Sequence, residues 1–287
     1  MTKLVKKEID LHMHTDRSDG RYPPRELVQL ARDVGLKTIA ITDHDTVAGV
    51  DEAVAAGEEL GLEVIPGIEL STTVEKGEIH MVGLWIDPNN QELLELTEKL
   101  RGGREWAAKK MVENLRSMGM DRLTFERVKE LAGTASIGRP AIAQAMLEQG
   151  YIEKFEDAFT DEYIGPGGKA YVPRHKLLPE DAVRVVHRAG GVAILAHPTF
   201  TYDLEKSLAK LVRAGLDGME VYYTGYTPSV RAYLRSLARK FGLLISGGSD
   251  FHGVPSMEEP PLGSIYVPPV VLEALRDRHR RMHVLAS

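Results

Sequence analysis

The strongest constraint on the fold is a rhythm of short β-branched runs alternating with helical stretches, present at both ends of the chain and absent from its middle. Val5 to Leu11 reads as a strand, Pro23 to Val34 as a helix with proline near its start, and Lys37 to Thr42 as a second strand. Thr46 to Gly61 reads as the next helix, closed by Gly61, Glu63 to Pro66 as the third strand, and Ile79 to Ile86 as a further apolar run. The pattern returns with helix Pro179 to Arg188, strand Gly191 to Ala196, helix Leu204 to Ala214 and strand Gly218 to Val221. Helix Pro228 to Phe241, strand Leu243 to Ser246 and a last candidate strand, Ser264 to Val267, precede a C-terminal helix. Repeated strand and helix units with right-handed crossovers lead to a parallel barrel or a doubly wound sheet, and the barrel is preferred.

Between the two halves the pattern is helical only: Gln91 to Met118, Phe125 to Ala132, Arg139 to Gln149 and Lys154 to Asp161, closed by a Gly-Pro-Gly-Gly turn at 165–168. This predicts an α/β barrel over residues 1–89 and 172–287 with an inserted all-helical cap over 90–171. At 287 residues the chain is long enough for both. It has no cysteine, so any metal must sit on His, Asp and Glu. No apolar stretch suits a signal peptide or a membrane span, so a cytoplasmic location without membrane contact is expected. A formal charge of -6 argues against a broad basic surface for duplex DNA and leaves room for a local pocket that takes a small phosphorylated molecule.

The candidate metal ligands cluster at strand ends. In Ile9-Asp10-Leu11-His12-Met13-His14, residues two apart on a strand share a face, so His12 and His14 can grip one cation from one side. Asp19 follows in Ser18-Asp19-Gly20, His44 in Thr42-Asp43-His44, Glu69 in Pro66-Gly67-Ile68-Glu69, and His80 in the next apolar run. His197 ends Ala193 to His197, and Asp250 and His252 close Ser246 to His252. Taken singly, a histidine at a strand end is more often a hydrogen-bonded structural residue, and Asp43 reads equally as a cap for the following helix. Together they matter, because in a parallel barrel the strand ends open on one face, where sites are built. His175, His187, His279 and His283 lie in helical or polar surroundings and read as ordinary by default.

These motifs, in this order, resemble the PHP family of polymerase and histidinol phosphatase-like metal-dependent phosphoesterases. The resemblance implies a distorted (β/α)7 barrel binding two to three divalent metal ions, Mn, Fe or Zn. His12, His14, Glu69 and Asp250 would hold the first; Glu69 would bridge to a second on His80 and His197; Asp19, His44 and His252 would hold the third. The implied chemistry is phosphoester hydrolysis by a metal-activated water, with no protein nucleophile.

The inserted helices resemble those of a bacterial branch, the YciV/TrpH-like proteins, which includes 3',5'-nucleoside bisphosphate phosphatases and 5'-to-3' exonucleases of short RNA. The expected substrate is therefore a nucleotide or short RNA. Arg139, at a helix start, offers a bidentate fork for phosphate and Lys169 a point charge, with Tyr171, Arg174 and His175 as further contacts. After Ala196-His197-Pro198 the chain continues with Thr199 and Phe200, and Phe200 or Tyr202 can stack a base. Removal of a 3'-phosphate from a bisphosphate is the main reading and exonuclease action the alternative. A plain histidinol phosphatase fits the cap less well, and a catalytically silent module should have lost ligands that are all kept here.

Overall fold

A computed structural model describes residues 7–74, 77–133, 137–173, 177–253 and 261–286. Seven strands pair in chain order: β1 (Ile9–Asp10), β2 (Thr38–Ile41), β3 (Glu63–Thr73), β4 (Glu78–Leu84), β5 (Val192–Leu195), β6 (Gly218–Tyr223) and β7 (Leu244–Gly248). All neighbouring pairs are parallel except those of β4, which runs against both β3 and β5. The barrel is nearly closed: Leu11 N donates to Gly247 O at 3.2 Å, and Met13 bridges Phe251 in parallel. Gly248 permits that closure, since a Cβ there would lie 2.4 Å from His12 N and 2.5 Å from His12 Cβ.

The helices α1 (Pro24–Asp33), α2 (Val50–Leu60), α3 (Gln91–Ser117), α4 (Phe125–Ala132), α5 (Arg139–Glu148), α6 (Pro179–Arg188), α7 (Leu204–Ala214), α8 (Pro228–Phe241) and α9 (Pro269–Ala286) complete the chain. Local chemistry sets their ends. In α8, Thr227 accepts from Val230 N and Pro228 takes the first position, while Gly242 at φ 67° ends the helix in the left-handed conformation. Helix α1 turns Leu27, Val28 and Ala31 inward against Met13, Ile39 and Ile41, with Ala53 and Ala56 of α2 in the same core. The chain forms two compact units, one from the described residues of Met1–Glu95 and Lys176–Ser287, the other from those of Leu96–His175. The second has its own core, with Leu115, Leu123, Val128, Ile142, Met146 and Ile164 fully buried. Among the described residues no helix is long and apolar enough to cross a membrane.

Three expectations change. Ser264 to Val267 is not a strand; Ser264 N instead turns back to Pro261 O at 3.0 Å, because β7 already meets β1 and leaves no edge to extend. Lys154 to Asp161 shortens to a 3₁₀ turn at Phe155–Phe159, held by Asp157 Oδ2 accepting from Lys154 N at 2.9 Å. The third strand does not stop at Pro66 but runs on to Thr73, where β4 supplies a partner.

Asp217 joins three elements of the barrel. Its Oδ2 accepts from Ala193 N at 2.8 Å and from His187 Nε2 at 2.7 Å, and its Oδ1 from Arg278 Nε at 2.7 Å. Burial pushes its pKa up, but the hydrogen bonds from His187, Ala193 and Arg278 outweigh that and leave it lowered. The linked stability is therefore present above the ordinary carboxylate pKa and is lost as pH falls through the lower native value, a window below about pH 4. Asp217→Asn is expected to cost ~2 kcal/mol in urea unfolding at neutral pH, because its amide nitrogen cannot accept and so leaves part of this donor set unpaired; an unchanged midpoint would contradict this role.

Candidate metal centre

The barrel brings all nine candidate donors together at one end. His12 and His14 follow β1 and are fully buried, their backbone fixed by Asp250 N donating to His12 O at 2.8 Å and His14 N to Phe251 O at 2.9 Å. Asp19 rides on a turn in which Ser18 N and Gly20 N both donate to Thr15 O. Asp43 organises that turn rather than capping a helix: it accepts from Thr15 N, Thr15 Oγ1 and Ser18 Oγ, each at 2.7 Å. His44 lies beside Glu69 in a parallel bridge, with Asp45 N donating to Glu69 O at 2.9 Å. Glu69 sits within β3, not after it, and His80 near the start of β4. Since β4 is reversed, its start lies where its parallel neighbours end, which puts His80 on the shared face. His197 and Asp250 adopt φ values of 27° and 56°, a conformation that costs a non-glycine residue about 1–3 kcal/mol and is retained where function requires it.

Glu69 is the centre of the arrangement. Its Oε2 lies 3.2 Å from His12 Nε2, 3.3 Å from His14 Nε2 and 3.1 Å from His44 Nδ1. Its Oε1 lies 3.0 Å from His80 Nδ1 and 3.1 Å from His197 Nε2. Asp250 Oδ1 adds contacts of 2.9 Å to His14 Nε2 and 3.2 Å to His12 Nε2. Burial would raise the Glu69 carboxyl, but the imidazoles of His44, His12 and His80 hold it well below the usual range. Asp250 is likewise held down against burial by His12 and His14, and Asp19 by His44, His252 and His14. Burial brings His44 down to about 4, so that its ring is neutral at pH 7 and has a lone pair to offer. His80, despite burial, is raised to about 10 by Glu69 and Glu78.

This donor set fits divalent cations. Five imidazole nitrogens converge on one buried carboxylate, more than its lone pairs can satisfy as hydrogen bonds, and the buried Nδ1 atoms of His14 and His44 make none. Among the described residues three overlapping groups, each with donor atoms within 4.8 Å of one another, can hold an ion: His12, His14, Glu69 and Asp250; His44, Glu69 and His80; and His14, Asp19, His44 and His252. Geometry thus adds His14 to the Asp19 group and brings His44 to the side shared by Glu69 and His80. Nitrogen and oxygen donors without sulfur suit Mn, Fe or Zn.

Two supporting residues escape the sequence reading. Buried Glu220 in β6 accepts from His12 Nδ1 at 2.9 Å and from His197 N at 2.7 Å. Tyr223 donates its hydroxyl to Asp250 Oδ2 at 2.7 Å, and burial together with Asp250 pushes its pKa well above the usual phenol value. A lone acid within the apolar run Gly218-Met219-Glu220-Val221 is the signal that would have found Glu220.

In the inserted unit, Arg139 begins α5, half-buried, with its guanidinium over the rings of Tyr171 at 5.8 Å and Phe159 at 5.9 Å. Lys169 is exposed and spends its charge on both oxygens of Glu162 at 2.7 Å. Arg174 and His175 lie outside the described residues.

Residues 10–124 match the PHP domain family. A 5'-3' exoribonuclease of Haemophilus influenzae is 36% identical over 250 residues, covering 86% of this chain and 90% of that protein. A 3',5'-nucleoside bisphosphate phosphatase of Chromobacterium violaceum is 31% identical over 249 residues, covering 85% and 87%. A crystal structure described as a metal-dependent phosphoesterase, from Bifidobacterium adolescentis, superposes with a TM-score of 0.79 at 34% identity over 94% of this chain and 96% of that one. With a nearly closed seven-stranded barrel and a buried carboxylate ringed by histidines, the chain belongs to the PHP family of metal-dependent phosphoesterases.

Proposed function

We propose that the protein hydrolyses the 3'-phosphate of 3',5'-nucleoside bisphosphates, leaving the nucleoside 5'-phosphate. The observation that carries this reading is the disposition of Glu69, which turns one oxygen to His12, His14 and His44 and the other to His80 and His197, so that donors on both sides of it would hold divalent cations. His12, His14, Glu69 and Asp250 are the proposed ligands of one ion, Glu69, His80 and His197 of a second, and Asp19, His44 and His252 of a third. When bound, divalent ions would supply an activated water and would offset the charge of the phosphoryl oxygens. The chain contributes the rest. Ionised Asp19, Glu69 and Asp250 and the neutral His44 ring present lone pairs at fixed positions, and Glu220 and Tyr223 hold the rings and carboxylates that bear them. Hydrolysis breaks the bond between phosphorus and O3', the oxygen of water goes to phosphate, and O3' departs with a proton.

Arg139 is the proposed phosphate contact of the inserted unit, since its guanidinium makes no hydrogen bond or ion pair among the described residues and rests on aromatic faces that hold it in place. Tyr171 is a proposed support for it, and Lys169 a weaker contact because Glu162 already neutralises it.

A second reading, 5'-to-3' exonuclease action on short 5'-phosphorylated RNA, is favoured by the 36% identity to a protein of that activity. Both reactions break the same phosphorus to O3' bond, in a monoester or a diester. Metal-loaded protein is expected to turn over adenosine 3',5'-bisphosphate with a higher kcat/KM than a 5'-phosphorylated RNA trimer. The reverse order makes exonuclease action the main activity, and no turnover of either refutes both readings.

A further inference from the structure

Directly after His197 the chain turns through Pro198–Phe200 and leaves Phe200 69% exposed, beside the proposed metal ligands. The ring's backbone is fixed. Phe200 N donates to His197 O at 3.1 Å and Thr201 N to Pro198 O at 3.0 Å, while Thr199 ties the turn to Tyr226, donating to its hydroxyl oxygen from N at 3.3 Å and from Oγ1 at 2.9 Å. The ring itself stands 5.5 Å from the His197 imidazole and edge-on to Tyr223 at 6.3 Å and 82°. Tyr223 in turn packs on His197 at 5.7 Å and on Tyr226 at 5.0 Å, and its hydroxyl is anchored on Asp250. These rings form a wall that rises from the metal ligands, with Phe200 as its exposed end.

An apolar ring held in place yet left in water forgoes the stabilisation that burial would give it, so its position calls for a partner that covers it. The phosphorus under attack lies at the ligands, His197 among them, and the wall begins one ring's distance away. The group within that reach is the remainder of the substrate. A phenyl face offers no hydrogen-bonding group, and it suits any flat heterocycle irrespective of its polar edge.

We propose that Phe200 is a stacking platform for the nucleobase of the nucleotide whose 3'-phosphorus is attacked, making it a determinant of specificity for nucleosides over bare sugar phosphates. This rests on the phosphatase reading above. The platform accepts purines and pyrimidines alike and favours the larger ring in proportion to its stacking area.

The test uses metal-loaded full-length protein with adenosine 3',5'-bisphosphate and with the same sugar bisphosphate lacking a base, 1-deoxyribose 3,5-bisphosphate. Phe200→Ala is expected to raise KM for the adenosine compound about 10-fold more than for the baseless one, with the change in KM rather than kcat. Phe200→Trp is expected to restore the preference, and its new tryptophan fluorescence to be quenched by adenosine 5'-monophosphate, a signature that a merely structural role does not produce. Equal KM changes for both substrates, or no quenching in Phe200→Trp, overturn the platform. If wild-type protein cleaves the adenosine compound and the preference is unmoved by Phe200→Ala, the platform alone fails; if it cleaves neither compound, the phosphatase reading fails and the platform with it.

Discussion

Glu69→Gln is expected to abolish phosphoester hydrolysis, by about 10³-fold or more, and to leave purified protein with less bound metal than the wild type. The substitution preserves shape and removes the charge. It also replaces one acceptor oxygen with an amide that can only donate, at a point where five imidazole nitrogens lie within 3.3 Å. Because Glu69 contributes to two of the three donor groups, its loss weakens more than one ion at once. Elemental analysis after gel filtration and initial rates on adenosine 3',5'-bisphosphate check both halves, with far-ultraviolet circular dichroism showing that the barrel still folds. Full metal stoichiometry with near wild-type turnover would remove Glu69 from the centre.

Much of the barrel was legible because local chemistry marks its boundaries. Helices α4 and α8 begin after a capping threonine and end at a glycine, α6 begins at a proline, and α7 ends at a glycine. The direction of β4 was not legible, since an apolar run has a period but no polarity; only pairing with β3 and β5 decides it. That reversal nonetheless rescues the ligand reading for His80, which a purely parallel barrel would have placed near the wrong face. Ser264 to Val267 shows the opposite failure: its residues suit a strand, but a sheet closing on itself has no place for one. At the site, the sequence offered the donors because their residue types are costly to bury without a purpose. It could not show that Lys169 is neutralised by Glu162, or that Asp43 braces the Asp19 turn, because both depend on contacts across loops of irregular geometry.

Glu220→Ala is expected to lower metal affinity 10- to 100-fold without removing any ligand. A carboxylate can only accept, so the Nδ1 that Glu220 Oε1 holds at 2.9 Å carries the proton of His12, which leaves the Nε2 lone pair directed at the space shared with Glu69 and Asp250. The other oxygen accepts from His197 N at 2.7 Å and so helps keep that residue at φ 27°, a conformation it would otherwise leave. One buried side chain therefore sets the ring orientation of a proposed ligand after β1 and the backbone of a proposed ligand after β5. Titration of metal-free protein with Mn or Zn is the direct measurement, and activity lost at limiting metal should return when metal is in excess, which separates this positioning role from a defect in the chemical step. Glu220→Gln should fall between the two, because its amide keeps one acceptor and loses the charge that favours a protonated Nδ1. An Ala variant that binds metal as tightly as the wild type would show that His12 and His197 are held by the surrounding core alone.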